Sequence, residues 1–197
     1  MRILLVRHGQ SVWNAAGRWQ GWADPPLTEL GRRQSRAAVA NLEGIDVVVS
    51  SDLRRAVETA ALLAEPLGLV PEGTDARLRE RDVGEWTGLT RAEILRRWPG
   101  ALDRQWDPPG GERATALRRR VVAVVEHLAR AHRATTLAVT HGGAIRCLER
   151  HLGVEPEPLP NLGGVWVDVG DDGTMTAGPR VVLVDQADVA VTVPRQL

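Results

Sequence analysis

The sequence predicts an α/β fold, a three-layer α/β/α sandwich with a mostly parallel central sheet. Three observations predict it. Short apolar runs bounded by polar residues fit strands buried on both faces. The early runs are each followed by a stretch with helical periodicity, and repeated β-then-α order selects a parallel sheet between helix layers. The 197 residues hold no internal repeat, no low-complexity tract and no dividing linker, so one domain over residues 1–197 is expected.

Taken in order, Ile3-Leu4-Leu5-Val6 is the first buried strand. Thr28 to Leu42 follows, with Leu30, Ala37 and Ala40 at helical spacing and Thr28 as candidate N-cap. Val47-Val48-Val49 is a second strand, and Leu53 to Leu67 a second helix that stops near Gly68. Glu112 to His132 is a long helix with Leu117, Val121, Val124, Val125 and Leu128 on one side. Thr136 to Thr140 is a third strand, followed by a helix from about Ala144 to Leu152. Gly164 to Val169 and Arg180 to Val184 read as two late strands joined through the turn Asp171-Asp172-Gly173. Pro99 to Gly111 is a surface loop.

Composition removes whole chemistries. All 25 basic residues are Arg and none is Lys, which excludes a phosphate-loop lysine, a Schiff base and a lysine general base. There is no Tyr to act as a phenolic acid, and Cys147 alone makes neither an internal disulfide nor a four-thiolate zinc site. The 25 acidic residues bring the net charge to zero, which argues against a nucleic-acid partner. No apolar run is long enough to span a bilayer, so no membrane partner is expected. The opening Met1 to His8 has too short an apolar core for a signal peptide, so the expected location is cytoplasmic.

Open α/β sheets bind ligands beyond the carboxyl ends of their strands. Arg7-His8-Gly9, Ser50 to Arg55 and Thr140-His141-Gly142-Gly143 all sit at such ends, so two His and several Arg should converge on one rim. Arg donors match phosphate oxygens in pairs, and the amides around Gly142 and Gly143 open a helix, a further anion site. Neighbouring positive charge keeps an imidazole neutral, and a backbone carbonyl on one ring nitrogen would leave the other free to attack phosphorus. The leaving alkoxide needs a proton, and Glu80, flanked by Arg79 and Arg81, is a candidate donor.

The residues Leu5 to Asn14, with Arg7-His8-Gly9 at their centre, resemble the signature of the histidine phosphatase superfamily, the phosphoglycerate mutase-like proteins. Ser50 to Ala60, Leu78 to Gly88 and Val139 to Gly143 are similar to three further blocks of that family, in family order. The resemblance implies the phosphoglycerate mutase-like fold and a phosphohistidine on His8. It implies Arg7, Arg55, Asn14, His141 and Gly142 around the phosphoryl group, and Glu80 as acid and then base. It implies no metal and no cofactor. Gln20, Gly21 and Glu112 match positions that border the family's substrate pocket, and Trp106 is a further candidate. Arg97, Trp98 and Arg104 join Trp106 as candidates for a specificity wall.

Plainer readings apply elsewhere. His127, His132 and His151 are read as surface or helix-end residues, and their spacing does not repeat a metal pair. Cys147 is read as a packed, inert thiol. The segment Gly88 to Pro109 is short and lacks the Arg-Arg stretch and Tyr motif of the mutases. The expected activity is therefore a phosphatase acting on a small phosphate ester, of sugar phosphate or phosphoglycerate type. A cofactor-dependent phosphoglycerate mutase is the alternative, and a non-catalytic phosphate-binding module a remote one. The apolar tail Val181 to Val193 suits either edge pairing in a homodimer or an internal capped strand.

Overall fold

The computed structural model describes residues 1–102, 107–132, 134–185, 187 and 189–193. Four strands form a parallel block: β1 (Arg2–Arg7), β2 (Val47–Ser50), β3 (Gly73–Thr74) and β4 (Thr136–Thr140). Two more, β5 (Gly163–Val169) and β6 (Met175–Val182), complete the order β3-β2-β4-β1-β5-β6. β5 runs antiparallel to both β1 and β6.

Alternation along β1 explains the layers. Ile3 and Leu5 join one buried cluster with Leu117, Val121, Val124 and Val125 of helix α5 (Ala114–Ala131) and Ile145 and Leu148 of α6 (Gly142–His151). Leu4 and Val6 join another with Ala38 of helix α2 (Glu29–Ala38) and Ala56, Ala60 and Leu63 of α3 (Arg54–Ala64). Successive strand residues point to opposite faces, so one apolar run packs two helix layers. The three-layer sandwich expected from the sequence is the fold observed.

The chain leaves β1 toward α2 and α3 on one face, and leaves β4 into α6 on the other. β1 and β4 are neighbours, with Arg7 opposite Thr140. Their carboxyl ends therefore form the crevice where an open sheet reverses its winding, the usual ligand site.

Several element boundaries differ from the sequence reading. The second helix ends as α-helix at Ala64 and continues as a single tighter turn to Leu67, before Gly68 at φ 69°. The last helix starts at Gly142, two residues early, because His141 is its cap. β6 begins at Met175, before Gly178-Pro179, residues that argue against a strand in sequence. It lies at the sheet edge, where a missing N–H costs no ladder bond, and its register with β5 shifts between Val165 and Val167. Two short elements are additional: β3, and helix α4 (Arg91–Arg97), opened by a reciprocal Thr90–Glu93 capping box. A four-residue helix, α1 (Val12–Ala15), follows the first strand.

The tail folds back on the chain. Leu183 and Val184 are buried, Val189 and Val191 pack against the cluster over α2 and α3, and Gln34 Nε2 donates to the Ala190 carbonyl at 2.8 Å. Internal packing thus accounts for its apolar character.

Candidate active site

A cavity of about 500 Å³ opens over the ends of β1 and β4. The parallel ladder extends one step beyond β1, with His8 N donating to the Thr140 carbonyl at 3.0 Å. That register sets His8 next to His141, their rings edge to face with centroids 5.1 Å apart. Both residues are buried.

His8 Nδ1 lies 2.7 Å from the Gly9 carbonyl. A carbonyl only accepts, so Nδ1 carries the proton and Nε2 the lone pair. Arg55 Nε donates to that Nε2 at 3.2 Å. The remaining Arg55 nitrogens donate to the carbonyls of Ala23 at 2.8 Å and Gly21 at 2.9 Å, which fixes the guanidinium in the first turn of α3. Arg7 at the end of β1 donates to the Leu159 carbonyl at 2.7 Å and leaves its Nε without a partner. Neither ring nitrogen of His141 has a hydrogen-bond partner among the described residues.

Burial, then the charges of Arg55 and Arg7, holds His8 well below the usual imidazole range. Burial, then Arg55, does the same for His141. Burial also lowers the two guanidinium groups, Arg7 to about 9 and Arg55 to about 10. At neutral pH the centre is therefore two neutral imidazoles between two buried cations.

Glu80 faces this centre from the loop after Leu78. Its Oε2 accepts from Gly143 N at 3.0 Å and its Oε1 from Arg81 N at 2.8 Å. A Cβ at residue 143 would overlap Glu80 Oε1, so glycine is what lets the carboxylate reach the first turn of α6. The Glu80 carbonyl is itself held by Trp22 Nε1 and Arg120 Nη2, each at 2.8 Å. Arg120 also donates to the carbonyls of Arg77 and Arg79, while its Nε and Nη2 meet the Glu112 carboxylate at 2.7 and 2.8 Å.

Most of the residues singled out in the sequence meet here. Arg7, His8, Asn14, Gln20, Gly21, Arg55 and Glu80 line the cavity, and His141 is buried against His8. Three expectations change. Gly142 is packed beside Arg7 and does not line the cavity, and the neighbouring Gly143 amide is taken by Glu80. Glu112 points its carboxylate at Arg120 instead of the cavity, so it supports the Glu80 segment from behind. Arg97 is exposed and Trp98 packs near Trp86, with ring centroids 6.5 Å apart, and neither lines the cavity. The Arg104 and Trp106 expectations fall outside the described residues. The apolar wall is built instead from Trp19, Trp86, Ala101 and Leu102. Cys147 is half-buried on the cavity wall, with its thiol pushed up by burial, as expected of an unreactive cysteine.

Sequence reasoning missed Asn161. It is fully buried, its Nδ2 donates to the His8 carbonyl at 2.9 Å and to Asn14 Oδ1 at 3.3 Å, and Thr192 Oγ1 donates to its Oδ1 at 2.7 Å. No local pattern announces it, because its partners are far away in the chain.

Comparison with known proteins gives the same picture from a separate direction. The glucosyl-3-phosphoglycerate phosphatase of Mycolicibacterium vanbaalenii is 37% identical, covering 85% of this chain and 83% of that protein. A 2,3-bisphosphoglycerate-dependent phosphoglycerate mutase of Methylobacterium sp. (strain 4-46) is also 37% identical, over 85% and 88% of the two chains. Among solved structures, a mycobacterial glucosyl-3-phosphoglycerate phosphatase in complex with VO3 superposes with a TM-score of 0.82 at 33% identity, covering 90% of this chain and 96% of that one. YhfR of Bacillus stearothermophilus gives 0.81 at 31% identity, over 90% and 95%. The family model of the histidine phosphatase superfamily (branch 1) matches residues 3–165, and the chain belongs to that superfamily.

Proposed function

We propose that this single domain, residues 1–197, is a phosphomonoesterase that transfers the phosphoryl group of a small phosphorylated metabolite to His8 and then to water. The observation that carries this reading is the neutral His8 ring, with its proton fixed on Nδ1 and its Nε2 turned to a buried guanidinium. Nε2 attacks phosphorus as the ester P–O bond breaks. Arg7, Arg55, Asn14 and His141 neutralise or hydrogen-bond the equatorial oxygens, which is most of what phosphoryl transfer asks of a protein. Glu80 gives its proton to the leaving alkoxide, then takes one from the water that cleaves the N–P bond. Gln20 and Gly21 border the ester's organic part.

The relatives named as phosphatases and as mutases share this first step. A mutase must return the phosphoryl group to its substrate before water reaches it. Incubation with 3-phosphoglycerate and a catalytic amount of 2,3-bisphosphoglycerate separates the two. Phosphate release is expected, and efficient 2-phosphoglycerate formation with little free phosphate would establish the mutase instead. The reading needs no nucleic-acid partner, and it places the enzyme in the reducing cytoplasm, where the Cys147 thiol persists. A homodimer would form along the outer edge of β6, where Val182 is exposed, and sedimentation measures it. Among the described residues no helix is long and apolar enough to cross a membrane.

A further inference from the structure

The arginines around the cavity divide into two groups. Those at its floor and lip are committed: Arg7 and Arg55 to carbonyls, Arg81 to the Glu112 carbonyl and to Asp107. Arg118, Arg146 and Arg150 also line the cavity, yet their guanidinium groups have no hydrogen bond or ion pair among the described residues. Arg146 is half-buried, and its Nη1 is buried with no partner.

These three form one wall. On α6, Gly143, Arg146, Cys147 and Arg150 all face the cavity, a spacing of three, four and seven residues that defines a single helix face. Arg118 meets that face from α5. The charges of Arg150 and Arg118 both reach the Cys147 thiol, which lies among them. The first turn of α6 carries Glu80, so Arg146 stands about one turn above the reacting centre and Arg150 about two, roughly 5 and 11 Å along the axis. A phosphoryl dianion is matched by Arg7 and Arg55, and the charge of Glu80 reaches Arg146. Positive charge remains on the wall, aimed at the part of the ligand beyond the ester oxygen.

We propose that Arg118, Arg146 and Arg150 form a second anion subsite that holds a carboxylate on the organic part of the substrate, so that the enzyme selects phosphate monoesters that are also carboxylic acids. The proposal rests on the phosphomonoesterase reading and names the substrate class for it. A planar carboxylate accepts paired bonds from a guanidinium fork, whereas a hydroxyl gains nothing from that charge.

3-Phosphoglycerate and glycerol 3-phosphate test this, because they differ only in a carboxylate against a hydroxymethyl group. Their binding is measured by calorimetry on the His8→Ala protein, which cannot form the phosphohistidine, and their hydrolysis on the wild type. The expected preference for the carboxylate ester is about 10- to 100-fold in Kd, the size of one or two charge-assisted bonds. Adding Arg118→Ser and Arg150→Ser, both at exposed positions, should bring that ratio close to one, and Arg146→Gln should lower it. Equal dissociation constants for the two esters, or a ratio that survives the double substitution in a folded protein, would overturn the subsite. Failure of the wild type to release phosphate from either ester would overturn the phosphatase reading alone, since the binding ratio still decides the subsite.

Discussion

The Gly9 carbonyl, 2.7 Å from His8 Nδ1, decides which nitrogen can attack, and the surrounding cations decide whether it can do so at neutral pH. Both imidazoles stand well below 6.5, chiefly through burial. Below pH 6.5 the unfolded chain therefore binds protons that the folded chain refuses, and stability falls as pH drops, by about 1.4 kcal/mol per pH unit for each ring. Urea midpoints at pH 7 and pH 5 should show this loss, and His141→Gln should remove about half of it; equal midpoints would contradict it. Glu80 is tested by leaving group. Glu80→Gln should cost about 10²- to 10⁴-fold in kcat on an alkyl phosphate, the usual worth of a general acid. It should cost far less in the His8 phosphorylation step with p-nitrophenyl phosphate, whose leaving group needs little protonation. Similar losses in that step for both esters would remove Glu80 from the acid's role. At this scale His8, Arg55, Glu80 and His141 were legible because each sits in a short block of distinctive residues. Asn161 was not, because its partners His8, Asn14 and Thr192 are distant in sequence.

Helix α6 brings an anion to its N-terminus from within the protein. Glu80 occupies the Gly143 amide, where the sequence suggested a place for the substrate's phosphate. Carboxylates are favoured at helix N-termini, so the same interaction that steadies α6 also aims Glu80. Gly143→Ala is expected to separate these effects. The added Cβ overlaps Glu80 Oε1, so the carboxylate must move, and activity on an alkyl phosphate should fall at least about tenfold with little change in urea midpoint. An unimpaired Gly143→Ala enzyme would mean that Glu80 need not rest there. Element by element, the apolar periodicity of α5 and the paired-face runs of β1, β2 and β4 were readable because burial alone dictates them. α4 could have been found from its Thr90-x-x-Glu93 box. β6 was hidden by Gly178-Pro179, whose tolerance depends on an edge position that no local window reveals. Glu112 looked like a pocket residue from its place in the chain, and the fold turns it toward Arg120.

Across the molecule, the zero net charge conceals a cavity with a large surplus of guanidinium groups around Glu80. Asn161 ties this region to the tail: Asn161 N donates to the Thr192 carbonyl at 2.9 Å, and Thr192 Oγ1 returns a bond to Asn161 Oδ1. Thr192→Val keeps the shape and deletes the hydroxyl, leaving Asn161 Oδ1 without that donor. It should cost about 1–2 kcal/mol in stability and lower kcat, while Thr192→Ser retains both. Identical behaviour of the Val and Ser variants would uncouple the tail from the site. The sheet order carries a consequence for how the protein is made. β1 lies between strands contributed by residues 136–140 and 163–169, so the first segment synthesised is flanked only by late ones. Long-range pairing of this kind carries a loop-closure cost before any contact rewards it. His8 is therefore among the first residues translated, and it becomes a nucleophile only after the last strands have closed around it.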